Sequence, residues 1–463
     1  MDLYRPIYHF MPEKNWMNDP NGPIYYKGEY HLFYQTNPND YHWDTMHWGH
    51  AKSIDLVHWN HLPIALYPSN ELGEKHCFSG CTFTNDQGIP TIYYTSVGEG
   101  QRHQSVGAEQ WMAVSHDDMV TWEKAKNNPR LTLDLHENMD IKEWRDPFVW
   151  KDGDNWYMVL GGSNDGNGCV FIYKSKNSLD WKFLNILYET NKYKFLECPN
   201  LFKLGDKYVL IYSPNDMVVY HTGILNSDFT FTTEYQDIFD NSGWEGYYAP
   251  NSLVDPNGRR VIWGWMTEAS RGEFKGPLGW AGAQSIPRML SLYNNGKLKI
   301  EPVSELKVLR AEEKLLTDVK VNSENLKLGV QGRALEIKAE FELNGDEEFS
   351  IQVLQSKNAQ EQTSISYNVI NSELTVDRSK STLSELPHKS KLSASLYLSK
   401  GEILKLHIFI DHSIIEVFAN YEKCISTRVY PTLDDTTGVT LSLTKGIELN
   451  VKSFTIWKMK SIW

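Results

Sequence analysis

The chain has 463 residues, past the size at which one hydrophobic core usually divides, so two domains are expected. Its formal net charge of −13 repels polyanions and argues against a nucleic-acid partner, and no apolar span is long enough to imply a membrane. Aromatic residues make up 13%, with 16 Trp and 25 Tyr, which suits β-structure and flat faces for stacking sugar rings.

The chain opens as MDLYRPIYHFMPEKNW, without a basic stretch followed by an apolar one, so a cytoplasmic location is expected. Cys77, Cys81, Cys169, Cys198 and Cys424 are odd in number and form no framework, which points to free reduced thiols. No second pair accompanies Cys77 and Cys81, and no carboxylate stands at ligand spacing from His47 and His50 in HWGH, so neither is read as a metal site.

From Asn18 onward one pattern recurs: a polar or proline-marked start, a strand-like run, a Gly/Asp turn and a second run. It reads NDPNGPIYYKGEYHLFYQ, FSGCTFTNDQGIPTIYYTS, RDPFVWKDGDNWYMVLGG, ECPNLFKLGDKYVLIYSP and YAPNSLVDPNGRRVIWGW. Between copies lies an echo, SIDLVHW, SHDDMVTW and SKNSLDW, whose Trp59, Trp122 and Trp181 are 63 and then 59 residues apart. Four short strands per roughly 60 residues, repeated five times, predict a five-bladed β-propeller over residues 1–300. Innermost strands line a propeller's channel, so repeat starts should converge there and bring Asp19, Asp146 and Glu197 to one pocket.

After the fifth copy, KVLRAEEKLLTDV is rich in helix formers and predicts a short helical linker within 301–320. Runs such as RALEIKAEFEL, FSIQVL, LKLHIFI and SIIEVF predict a β-sandwich over 321–463, so the fold class is all-β. That domain carries no carboxylate cluster and reads as structural support or as an accessory sugar-binding module.

Three acids at one pore mouth suit glycosidic-bond cleavage. One carboxyl protonates the leaving oxygen, a second attacks or activates water, and a third can stabilise developing positive charge. Crowding should raise the pKa of one of them. Glu197, beside Cys198 and Pro199, has the less polar setting that would favour a protonated acid. Asp19 lies in the NDPNG turn, where backbone N–H groups and Asn18 could hold it ionised, and Asp146 follows the cation Arg145. These residues alone leave the roles balanced, because NDPNG is usually only a turn and RDP only a common string. Trp43 and Trp48 could be blade packing or a stacking face.

HFMPEKNWMNDPNG, HLFYQTNP, MHWGHAKSIDLVHW, CFSGC, WRDPFV, LECPNLF and GWAGAQSIPR together resemble glycoside hydrolase family 32, the family of invertases, levanases and related fructosidases, and IFIDHSIIEVFAN resembles its C-terminal signature. The resemblance implies a propeller joined to a sandwich, retaining chemistry, and no metal or organic cofactor. Asp19 matches the nucleophile, Glu197 the acid/base and Asp146 the transition-state stabiliser. Asn18, Gln35, Trp43, Phe78, Ser79 and Arg145 match residues of the fructose pocket, with Trp265 or Trp280 as a further wall. Asn200, Leu196 and Cys81 depart from common family residues beside these positions. The expected partner is a small fructosyl-containing sugar: sucrose, a fructo-oligosaccharide or a fructan end. The alternatives are fructosyl transfer to a second sugar, or a sucrose 6-phosphate substrate drawing on a cation such as Lys75, Arg102 or Arg271. A non-catalytic fructan-binding propeller would be expected to lack one of the acids, and an arabinan-type hydrolase would invert.

Overall fold

The computed structural model describes residues 2–98, 107–274, 278–322, 326–399 and 401–463. Arg102, one of the cations considered for a phosphorylated substrate, lies outside the described residues. Five successive antiparallel sheets, each with four main strands, occupy the first part of the chain. Their innermost strands are Asn15–Tyr26, His76–Thr84, Ile141–Asp152, Glu197–Leu204 and Tyr247–Val254. Each contacts the next in order, and the fifth returns to contact the first, which closes the ring of a propeller.

The tryptophan echo is part of this closure. Trp122 of the second sheet meets Phe33 of the first edge-on at 5.5 Å, and Trp181 of the third meets Tyr93 of the second at 5.9 Å. Trp59 of the first sheet meets Trp263 of the fifth at 6.2 Å. One sequence device thus packs three of the five blades on their predecessors, across the seam included.

Trp280 also serves the seam. Trp280–Ala281 pairs in parallel with Asn15 and Trp16 on the first innermost strand, and the buried indole donates to Asp2 Oδ2 at 2.6 Å. The expectation that Trp280 walls the sugar pocket is therefore corrected: its ring is consumed in joining the last blade to the first.

The fifth sheet ends at Leu298–Pro302. A short 3-10 turn, Ser304–Leu309, follows, and then the strand Arg310–Val321. The helical linker predicted from KVLRAEEKLLTDV is thus an edge strand, laddered to Leu449–Met459 at the rim of a six-stranded sheet. Its Lys and Glu residues are what an exposed sheet edge needs to resist pairing with another chain. A second six-stranded sheet faces the first. Period-two burial, as in Leu335, Ile337, Ala339 and Phe341, fills the core between them.

The two domains meet across a buried polar seam. The Asp411 carboxylate accepts backbone N–H groups from Ile7 (2.8 Å), Tyr8 (2.8 Å) and His9 (2.9 Å). Arg288 reaches Asp240 at 2.9 Å and Glu416 at 2.5 Å, all three fully buried. Asp411 and Glu416 are the acids of IFIDHSIIEVFAN, so that string builds the domain contact.

Candidate active site

In a regular strand neighbouring side chains point to opposite faces, so adjacent residues cannot both face one pocket. Here each innermost strand carries a bulge at its start. Asn18 and Asp19 together stand against Gln35, and Phe78 and Ser79 against Thr95. Asp146 and Pro147 oppose Leu160, Cys198 and Pro199 oppose Tyr212, and Ala249 and Pro250 oppose Gly264. Asp146, Cys198 and Ala249 take positive φ angles of 64°, 48° and 49° there, backbone that costs energy in any residue but glycine. The extra residue re-aims the strand. Adjacent pairs such as Asn18–Asp19, Arg145–Asp146 and Glu197–Cys198 consequently line one cavity of about 440 Å³.

Counted from the proline that follows, Asp19 and Asp146 occupy equivalent places, whereas Glu197 stands one residue earlier, level with Asn18, Arg145 and Tyr248. The cavity is lined by Asn18, Asp19, Gln35, Trp43, Phe78, Ser79, Arg145, Asp146, Glu197 and Trp265, and not by Trp280. It also exposes Trp16, Cys198, Asn215, Trp244 and Tyr248, which sequence reasoning missed. Two of these were legible from the repeat: Tyr248 is the fifth copy's counterpart of Glu197, and Cys198 the fourth copy's counterpart of Asp146. Asn215 and Trp244 sit outside the repeated strings, with no such signal.

Asp19 is held from two sides. Ser79 Oγ donates to its Oδ2 at 2.6 Å and Asn18 Nδ2 to its Oδ1 at 3.1 Å. Asn18 is fixed in turn by Trp16 Nε1, which donates to its Oδ1 at 2.7 Å, and by donating to Gln35 Oε1 at 3.1 Å. Asp146 accepts the Cys198 N–H at 2.9 Å, while its own N–H donates to Thr95 Oγ1 at 2.9 Å. The Cys198 thiol lies between the two aspartates, 3.5 Å from Asp146 and 3.7 Å from Asp19. Glu197 receives Arg145 Nη2 at 2.8 Å and the Tyr248 hydroxyl at 2.5 Å.

Burial pushes Asp19 up to about 6, against the pull of the Ser79 and Asn18 hydrogen bonds and with a further push from Glu197. Burial likewise pushes Asp146 up to about 7, with Arg145 opposing and Glu197 adding. The expectation of a less polar setting for Glu197 is corrected, since its carboxylate is gripped by a guanidinium and a phenol. Burial and then the Glu197 charge raise the Tyr248 phenol well above its usual value, which keeps it a neutral donor. Burial and both aspartates do the same to the Cys198 thiol.

The departures beside these positions also have places. Asn200 donates to the carbonyls of Cys198 (3.2 Å) and Pro250 (3.0 Å) and accepts from Ser252 Oγ at 2.9 Å, so it ties the fourth blade to the fifth. A carboxylate could not make both donations. Leu196 and Cys81 are buried in the blade cores. His50 stacks on Phe33 at 4.0 Å and bonds His31 at 2.9 Å, and Trp48 is buried with its N–H on Phe78 O at 3.0 Å, so both are packing residues. All five cysteines are free and buried.

Residues 9–302 match the model of the glycosyl hydrolases family 32 N-terminal domain, and residues 305–458 that of the family 32 C-terminal domain. A sucrose-6-phosphate hydrolase of Zymomonas mobilis is 32% identical, covering 94% of this chain and 88% of the relative. A levanase of Bacillus subtilis is 33% identical, covering 99% and 71% respectively. The crystal structure of fructan 1-exohydrolase IIa from Cichorium intybus superposes with a TM-score of 0.91 at 27% identity, over 99% of this chain and 98% of that one. With both domain models matched in order along nearly the whole chain, the protein belongs to family 32 of the glycosyl hydrolases.

Proposed function

We propose that the protein releases terminal β-D-fructofuranosyl units from sucrose or short fructo-oligosaccharides by a retaining double displacement. The observation that carries this reading is the convergence of Asp19, Asp146 and Glu197 on one cavity, each held by its own set of donors. Asp19 attacks C2 of the fructosyl unit while Glu197 protonates the departing glycosidic oxygen. Glu197 then takes a proton from the water that releases fructose. Asp146 grips ring hydroxyls and stabilises positive charge as it develops. Arg145 and Tyr248 aim Glu197, and Ser79 and Asn18 aim Asp19, so both groups are positioned before substrate arrives.

Among the described residues Arg145 is the only cationic side chain lining the pocket, and Glu197 and Glu143 engage it. Arg271 is buried and donates to Phe274 O at 2.8 Å, and Lys75 is not among the lining residues. That arrangement favours a neutral sugar. The second reading, sucrose 6-phosphate, draws its support from relatives that bear that name. Buried free thiols suit a reducing compartment, and the cytoplasm is the location we propose.

Catalytic efficiency on sucrose, sucrose 6-phosphate, kestose, inulin and levan separates the two substrate readings, and product analysis at high sucrose measures transfer against hydrolysis. NMR of the first-formed fructose should show the β anomer. An inverted product, or full activity in Asp19→Ala, refutes the mechanism.

A further inference from the structure

The outer wall of the pocket is built on a turn that the second domain holds. Trp244 lines the cavity and sits in the 3-10 turn Gly243–Glu245. Its ring meets Tyr248 edge-on at 4.8 Å and Trp265 at 5.5 Å. Tyr248 is the residue that donates to Glu197. Within its own domain the turn is tied by Thr267 Oγ1, which donates to Trp244 O at 2.6 Å.

The next residue, Glu245, turns toward the sandwich. It accepts a short hydrogen bond from Arg378 Nη2, another from Ser390 Oγ at 2.8 Å, and lies 3.3 Å from His388 Nδ1. Arg378 is fully buried and has little freedom to move. Its Nη1 donates to Thr427 Oγ1 at 2.9 Å and its Nε to Ser390 O at 3.1 Å. The same sandwich segment docks on the neighbouring turn, where His388 N–H donates to Ser270 O at 2.9 Å. A planar guanidinium with fixed partners on one side positions a carboxylate more exactly than a flexible surface ion pair could.

We propose that the sandwich domain sets leaving-group affinity from a distance: Arg378, through Glu245, fixes Trp244 as the wall against which the sugar beyond the fructosyl unit packs. Arg378 and Glu245 are positioning residues and touch no substrate. This rests on the fructosidase reading for its sugar, and on the geometry alone for the clamp.

The test is a double-mutant cycle on sucrose. Trp244→Ala should raise KM about tenfold through loss of an aromatic face, with kcat within about twofold. Arg378→Met should raise KM three- to tenfold with kcat similarly preserved. The double variant should be no worse than Trp244→Ala, because the clamp acts only through that ring. Should Arg378→Met fail to fold, Glu245→Gln takes its place in the cycle. An unchanged KM, or effects that multiply in the double variant, overturns the proposal, since a bridge that merely stabilises the fold would not converge on Trp244. A substrate-free measurement separates the clamp from the assigned activity. In protein labelled with 5-fluorotryptophan, the Trp244 resonance, assigned with Trp244→Phe, should shift or broaden in Arg378→Met. A resonance that stays put sinks the clamp whichever sugar is cleaved, while a wild-type enzyme inactive on every fructosyl sugar sinks the functional reading alone.

Discussion

Asp146→Asn should make the protein more stable at alkaline pH and not at acid pH. The native carboxyl, pushed by burial from the ordinary value of 3.8 to about 7, keeps its proton over a range in which the unfolded chain has lost it. Below about pH 4 both states are protonated and ionisation costs nothing. As pH rises from there the unfolded state releases its proton first, so stability falls, and the loss is complete once pH passes about 7. Roughly three pH units at 1.36 kcal/mol each give about 4 kcal/mol as an upper figure. The pull of Arg145, 4.0 Å away, is already contained in the value of about 7, and solvent screening in the open pocket reduces the figure toward about 2 kcal/mol. An Asn side chain can still accept the Cys198 N–H, and Arg145 keeps Glu197 and Glu143, so no buried cation is orphaned. For a domain of about 300 residues, 2–4 kcal/mol corresponds to roughly 3–6 °C in Tm. Scanning calorimetry of both proteins at pH 4 and pH 8.5 reads this directly. A variant equally or less stable than wild type at pH 8.5, or one with the same gain at both pH values, would refute the argument that a buried charge is stored there. The variant should also lose most of its activity, the usual exchange of function for stability at a strained site.

The acid limb of kcat/KM should lie between about pH 6 and 7, where Asp19 and Asp146 become ionised, and activity should fall below it. Ser79→Ala removes the donor that favours the carboxylate, so that limb should move up by about one pH unit; a limb that stays in place would assign it to another group. Tyr248→Phe should lower kcat/KM about tenfold by freeing one oxygen of Glu197, and full activity in that variant would remove Tyr248 from the aiming network. Arg288→Met leaves Asp240 and Glu416 buried without their cation and should cost about 3–5 kcal/mol in urea unfolding. A cost below about 1 kcal/mol would mean that the hydrogen bonds of His9 to Glu416 and of Ser426 to Asp240 suffice to hold the two carboxylates.

The repeat was legible because its signals are local: alternation within strands, Gly and Asp at turns, and a tryptophan closing the same short string in three copies. The meeting of Asp19, Asp146 and Glu197 followed from the same pattern, since the first residues of every repeat lie close together in a closed ring, although Glu197 stands one step earlier than the two aspartates. What depended on distant neighbours was not legible. Arg310–Val321 has helix-forming composition, and only its ladder with Leu449–Met459, far along the chain, makes it a strand. Trp280 looked like other pocket aromatics, and only Asp2 and the seam show where its ring is used. The surroundings of Glu197 were misread because Cys198 and Pro199 adjoin it in sequence, whereas Arg145 and Tyr248 adjoin it in space.

The bulge shared by all five innermost strands separates where a group sits from what the group is. The backbone supplies five addresses around one axis, and the first place of the bulge holds Asn18, Phe78, Asp146, Cys198 and Ala249 in turn. Chemistry on such a ring can change by substitution at an address without any change in the path of the chain. Ala249 marks an address with no polar group assigned to it, and Cys198 one where a thiol stands between two carboxyls. A designer who wished to move an acid around the sugar, or add a fourth, would begin at those two positions and leave every strand as it is.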